Sequence, residues 1–356
     1  MKQFLLIKLN HIGDTLIMTP TIRILKERYP EAQIDVIVRS GCDAVLQGNP
    51  DIREILTVAS PEKSQRTLWG EIKNNYRIVR HIFNRQYDYG FDLSDTDKGK
   101  IFLRLSNTRV RGFNRRWVKM KRKHRLVYNA FSDYDWTKRH QVLKDFVTVT
   151  DILGLQAEAG PLVVNTDIDV ERLKKKLPEM DLDKPYVVIH PTSRWRFKQW
   201  LPQGWAEIAD WLREEHGMQV IFSSGPSDVE TETIDQIVLA SRQKHESVRG
   251  RLSLREGAWL IENSQLFAGV DTVVMHLAAA VGAPSVALFG PSSEWSWRPW
   301  HCRHELVVGV CSCKVSRKFI CDKSKPYPCM AGIEVEAVKN QLLLVMAPPT
   351  PGQGTP

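Results

Sequence analysis

No stretch of this 356-residue sequence is both long enough and uncharged enough to span a membrane. Its opening, MKQFLLIKLNHIGD, is apolar only briefly and is broken by Lys8 and His11. That excludes the hydrophobic stretch of a secretory signal, so a cytosolic protein is expected, with at most surface contact to a membrane. Cysteine is scarce as well. Cys42 stands alone, and Cys302, Cys311, Cys313, Cys321 and Cys329 fall in one late segment. They form no CxxC pair, so the spacing of a structural zinc site is missing, although His301 and His304 lie nearby. Disulfides are not expected in a reducing compartment, which leaves free thiols in a surface loop. Internal repeats are absent too.

What is present is an ordinary globular composition with one bias. Hydrophobic residues make up 42% and charged residues 26%, while the formal net charge is +9. Such a balance excludes a disordered chain and points to an anionic partner: nucleotide, nucleic acid or membrane surface. The length exceeds what one core organises, so two domains are expected. FLLIKL reads as a buried strand, Asp14–Tyr29 as a helix and IDVIV as a second strand. Short strands near Ile55–Val58 and Tyr89–Leu93, then a helix over His140–Leu153, continue the alternation. Residues 155–184 look like a connector. A fresh start follows with the strand YVVIH, a helix over Trp205–His216, the strand QVIFSSG and a helix over Val229–Ala240. A last helix spans Val335–Met346, and the Pro/Gly-rich tail APPTPGQGTP is expected to be disordered. Strands alternating with helices in two blocks predict two Rossmann-like α/β domains facing a central cleft. The boundaries are 1–160 and 185–346, with a linker at 161–184 and a tail at 347–356.

Four loops carry chemistry. In AGVDTVVMHLAAAVGAPSVALFGP (residues 268–291), a helix opening at Asp271-Thr272 leaves backbone N–H groups and a positive dipole end free for an anion. In HPTSRWRFKQWLP, two hydroxyls (Thr192, Ser193) and three cations (Arg194, Arg196, Lys198) follow a strand directly, a composition suited to phosphate. Trp195 and Trp200 read there as packing anchors. In SSGPSDVETETI, Glu230 falls early on a helix, where it either binds ribose hydroxyls or simply favours the helix amino terminus. In NHIGDT, Asp14 either caps a helix or faces the cleft to accept a proton from a hydroxyl.

Together these loops resemble glycosyltransferase family 9, the ADP-heptose:lipopolysaccharide heptosyltransferases. HIGDTLIMTPTIRILKERYPEAQIDVIV, HPTSRWRFKQWLP and GVDTVVMHLAAAVGAPSVALFGP carry the resemblance over roughly residues 1–345, and LSDTDKG with HPTSRWRFKQW is most similar to the heptosyltransferase III type. The resemblance implies a GT-B architecture, an amino-terminal acceptor domain, a carboxyl-terminal donor domain, and inverting heptose transfer without cofactor or metal. It implies Asp14 as general base and Lys198 as a stabiliser of the departing ADP. Thr192, Ser193, Arg194 and Lys198 would hold the diphosphate, Glu230 the ribose, and Asp271, Thr272 and His276 the remaining phosphate contacts. His11 and the basic residues Arg115, Arg116, Lys119 and Lys121 would meet the lipopolysaccharide core acceptor. The same basic run would touch the anionic inner leaflet of the inner membrane, where each cation contributes about 1 kcal/mol. Nucleic acid is not expected, because Trp117 is the lone aromatic in that run. A monomer is expected. The same fold serving a protein or another surface glycan, or a non-catalytic nucleotide-sugar-binding protein, are the alternatives.

Overall fold

A computed structural model describes residues 1–59, 68–116, 122–310, 321–322 and 326–348. The chain divides into two compact units, Met1–Asn165 and Thr166–Pro356. The first unit holds strands β1 (Gln3–Lys8), β2 (Gln33–Arg39), β3 (Glu54–Val58), β4 (Gln86–Asp92), β5 (Asn107–Asn114) and β6 (Ala130–Ser132). They pair in parallel in the order β3-β2-β1-β4-β5-β6. The second unit holds β7 (Tyr186–His190), β8 (Gln219–Phe222), β9 (Glu246–Ser247), β10 (Leu266–Val270), β11 (Ser285–Phe289) and β12 (His304–Val308). Here the order is β12-β11-β10-β7-β8-β9, again parallel throughout. Read from its other edge, that is the order of the first unit. One topology therefore occurs twice without a visible sequence repeat.

Parallel strands covered by helices on both faces are continuously apolar, and β7 shows why. All five of its residues are buried. Val187 and Ile189 join a core with Trp205, Ile208 and Leu342, while Tyr186 and Val188 join the opposite core with Leu260, Met275 and Phe289. Successive side chains point to opposite faces, so both layers draw on one strand.

Several elements depart from expectation. The single helix over Asp14–Tyr29 is two, Ile12–Leu16 and Thr19–Arg28, because Pro20 lacks an N–H and fits only the first turn of a helix. The stretch 161–184 is not a bare connector. It forms the helix Val170–Lys174, capped by Asp169, and buries Leu173 and Leu177 in the second unit's core. Cys302 is a free thiol, as expected, but it and Cys329 are buried rather than in a surface loop. Cys311, Cys313 and the tail from residue 349 lie outside the described residues. No described helix is long and apolar enough to cross a membrane.

Candidate functional site

In a doubly wound sheet, ligands bind where the strand order reverses, at the carboxyl ends of the two strands flanking the switch. In the second unit these are β7 and β10, so the loops beginning at Pro191 and Asp271 border one crevice. Lys198, in a short 3-10 turn, places its Nζ 2.7 Å from Oδ2 of Asp271 and so bridges those loops. Thr272 caps the helix Val273–Ala280 with no side-chain hydrogen bond, and its Oγ1 has no partner. The first N–H groups of that helix therefore lack a side-chain acceptor, beside an ammonium group. His276 is buried one turn further on, tilted against Trp297 with ring centroids 6.1 Å apart.

The neighbouring loop is tied down by hydroxyls and amides. Thr192 Oγ1 donates to Glu230 Oε1 at 3.0 Å, the Gly225 N–H donates to the same oxygen at 3.1 Å, and Ser227 Oγ donates to Oε2 at 2.7 Å. A side chain on Gly225 would begin 2.5 Å from Glu230 Oε2, so glycine is what admits the carboxylate. Ser193 Oγ accepts from the Trp195 N–H, and its carbonyl accepts from Gln199 Nε2, which is itself held by Thr233. Trp200 is an anchor as expected, 1% exposed, with its indole N–H on Ile333 O at 3.0 Å. Trp195 is not: it is 49% exposed, and the Arg194 guanidinium lies 5.5 Å from its ring centre. The reason is local. Its side chain leans on Phe197, outside the core, whereas Trp200 enters beneath the helix Pro202–His216.

At the end of β7, His190 Nδ1 sits 2.9 Å from Ser223 Oγ, and burial pushes the ring's pKa down to about 4 despite the nearby Glu230. The unfolded value is 6.5. Between those values only the unfolded chain binds this proton, so stability is full above about pH 6.5 and falls as pH drops toward 4. The loss should reach the order of 3 kcal/mol. Urea unfolding at a series of pH values is expected to show this slope in wild type and a reduced slope in His190→Asn. Equal slopes would contradict it.

In the first unit the switch lies between β1 and β4. Asp14 follows β1 at the third position of the helix Ile12–Leu16 rather than as its cap. Its Oδ2 accepts the His11 N–H at 3.1 Å, with His11 exposed. Beneath it, Lys8 is buried and donates to Leu93 O at 3.0 Å and to Asp145 Oδ2 at 2.6 Å. Burial raises the Asp145 carboxyl pKa, while Lys8 and Lys144 pull against it. Asp92, ending β4, accepts from Ser94, Asp95 and the Tyr128 hydroxyl. Asp95 has φ +49°, an uncommon conformation for a non-glycine residue, and pairs with Lys100 at 3.0 Å. Lys8, Asp92 and Asp145 escaped sequence reasoning; the available signal was their position at strand ends or in the first turns of a helix.

Of the basic residues, Arg115 is paired with Asp133 and lies over Phe131, and Arg116 is exposed beside it. Lys119 and Lys121 lie outside the described residues. Among the described residues, one group of Asp, Glu and His can close round a metal ion: Asp35, Glu54 and His81. It belongs to the amino ends of β2 and β3, away from the switch. Arg53 and Arg85 already neutralise Asp35 at 2.5 and 3.1 Å, and Arg85 also meets Glu54 at 2.8 Å, so a divalent cation does not fit.

Two doubly wound parallel sheets with charged, hydrogen-bonded loops at both switch points define an α/β class whose ligands bind at the carboxyl ends of the strands. Within that class, the chain belongs to glycosyltransferase family 9 (heptosyltransferase), whose model matches residues 75–325. It is a glycosyltransferase. It is 29% identical over 300 residues to lipopolysaccharide heptosyltransferase 3 of Escherichia coli, covering 81% of this chain and 83% of that protein. A glycosyl transferase of family 9 from Veillonella parvula superposes with a TM-score of 0.82 at 18% identity, covering 97% of each chain. E. coli heptosyltransferase WaaC, solved with ADP, superposes with a TM-score of 0.75 at 17% identity, covering 96% of this chain and 99% of that one. These likenesses bear out the expected fold, two Rossmann-like units of the GT-B type.

Proposed function

We propose that the chain transfers L-glycero-D-manno-heptose from ADP-heptose to a hydroxyl of the lipopolysaccharide inner core, with inversion. The acceptor is a core heptose. The observation that carries this reading is the rim at the β7/β10 switch, where Lys198, Asp271 and the open helix end at Thr272 converge. The lipopolysaccharide heptosyltransferase 3 relative supplies the substrate class.

The diphosphate would lie on Thr192, Ser193, Arg194 and the helix end. Glu230 Oε1 is filled by two donors and Oε2 by one, which leaves Oε2 a lone pair for a ribose hydroxyl. Beside that loop lies a small cavity of about 50 Å³, lined by Val188, Val248, Leu252, Leu260 and Leu277 with His190, Ser223 and Ser253, where the edge of the base would enter. Asp14 accepts the proton of the incoming hydroxyl as its oxygen attacks the anomeric carbon. The bond from that carbon to the phosphate oxygen breaks on the opposite face, and ADP leaves with the electron pair. One displacement inverts the centre. Lys198 and the helix dipole meet the charge developing on ADP, so no metal ion is needed. His11, Arg115 and Arg116, with Lys119 and Lys121, attract the anionic core, and the protein works at the cytoplasmic face of the inner membrane.

Lys198→Ala should lower kcat by roughly 10²-fold, the usual cost of one charge-stabilising donor. Steady-state turnover of ADP-heptose on a truncated core checks this. Unchanged kcat would remove Lys198 from the reaction.

A further inference from the structure

Trp195 is the feature the transfer chemistry leaves unused. A tryptophan with half its surface in water is unusual, and this one is held in place. Its N–H bonds Ser193 Oγ at 3.2 Å and its carbonyl accepts the Lys198 N–H at 2.9 Å. Its ring leans on Phe197 (centroids 5.7 Å apart), which stacks on the buried Tyr327 (4.9 Å). Arg194 covers part of the ring, and Arg196 stands at the edge of the same turn, paired with Glu232 at 2.5 Å. The result is a rigid indole partly covered by the Arg194 guanidinium, three residues from Lys198.

We propose that Trp195 is a stacking platform for a sugar ring of the acceptor. The proposal rests on the heptose-transfer reading above. A pyranose presents a face of C–H bonds, apolar and slightly positive, which matches the negative face of an indole. The proposed function gives the donor's base the cavity beside Glu230, which is lined from β7, the turn after β8 and the segments at 248–261 and 274–277, with no residue of the Trp195 loop. A membrane anchor would need a patch of such side chains. Here one ring is embedded among cations on a strand-end loop.

Steady-state kinetics with ADP-heptose and a truncated core acceptor separate the possibilities. Trp195→Ala should raise the acceptor KM roughly tenfold, the scale of losing one aromatic contact face, and leave kcat and the ADP-heptose KM unchanged. Trp195→Phe should restore most of the acceptor affinity, and thermal unfolding of both should match wild type. An unchanged acceptor KM in Trp195→Ala, or an ADP-heptose KM that rises in step, would overturn the platform. So would a loss confined to binding of anionic phospholipid vesicles. If wild type itself transfers no heptose, the functional reading fails, and calorimetry with the core oligosaccharide alone decides the platform. Binding by wild type that Trp195→Ala lacks would uphold it; no difference would end it.

Discussion

Replacing Asp14 with asparagine should lower kcat by about 10³-fold, the middle of the range for a positioned general base. ADP affinity should stay at the wild-type level. The choice of asparagine matters. Asp14 receives the His11 N–H on Oδ2, and an amide oxygen can receive the same bond, so the turn and its helix persist. What asparagine cannot do is accept the proton of an incoming hydroxyl. In the proposed reading ADP binds the loops of the second unit, whereas Asp14 belongs to the first. Calorimetric ADP titration together with turnover of ADP-heptose therefore separates the base from the donor site. Full activity in Asp14→Asn would assign the proton to another group.

Breaking the buried Lys8–Asp145 pair should destabilise the first unit by about 3–5 kcal/mol. Both side chains are almost wholly shielded from water, and Asp145 Oδ1 already lacks a hydrogen-bond partner. Lys8→Met therefore leaves a buried carboxylate without its hydrogen-bonded ammonium, with the pull of Lys144 still acting on it. Removing both charges is different, because Met and Leu leave no buried charge unpaired and fill a similar volume. The double variant Lys8→Met, Asp145→Leu should recover most of the lost stability in urea unfolding. It should not recover the Lys8 bond to Leu93 O, which joins the carboxyl ends of β1 and β4 at the switch beside Asp14. A double variant as unstable as the sum of the singles would mean the pair is not a coupled unit.

Much of the fold was legible because its signals are local. YVVIH is almost wholly apolar, as a strand covered on both faces must be, and it formed as read. Val335–Met346 matched to the residue. β5 was missed because Arg109 and Arg111 alternate with apolar residues inside a basic stretch, so its charge masked its period. The doubled sheet order was hidden for a different reason: pairing such as Ile7 with Asp92 joins residues far apart in the chain. The same distance hid the Lys8–Asp145 pair, whose members are 137 residues apart. In the loops after β7, β8 and β10, residue types announced Thr192, Lys198, Glu230 and Asp271. The bonds of Thr192 to Glu230 and of Lys198 to Asp271 depended on which strand ends became neighbours. Trp195 and Trp200 lie in one short run of sequence, and only the packing around them makes one an anchor and the other a surface ring.

The most direct measurement is the mass of the product formed when purified protein is incubated with ADP-heptose and a heptose-terminated truncated core. The expected result is an acceptor heavier by one heptose residue, with ADP released in equal amount and no product from Asp14→Asn on the same timescale. Release of ADP without a heavier acceptor, or an acceptor that gains a hexose from another nucleotide sugar but never heptose, would contradict heptose transfer to the core.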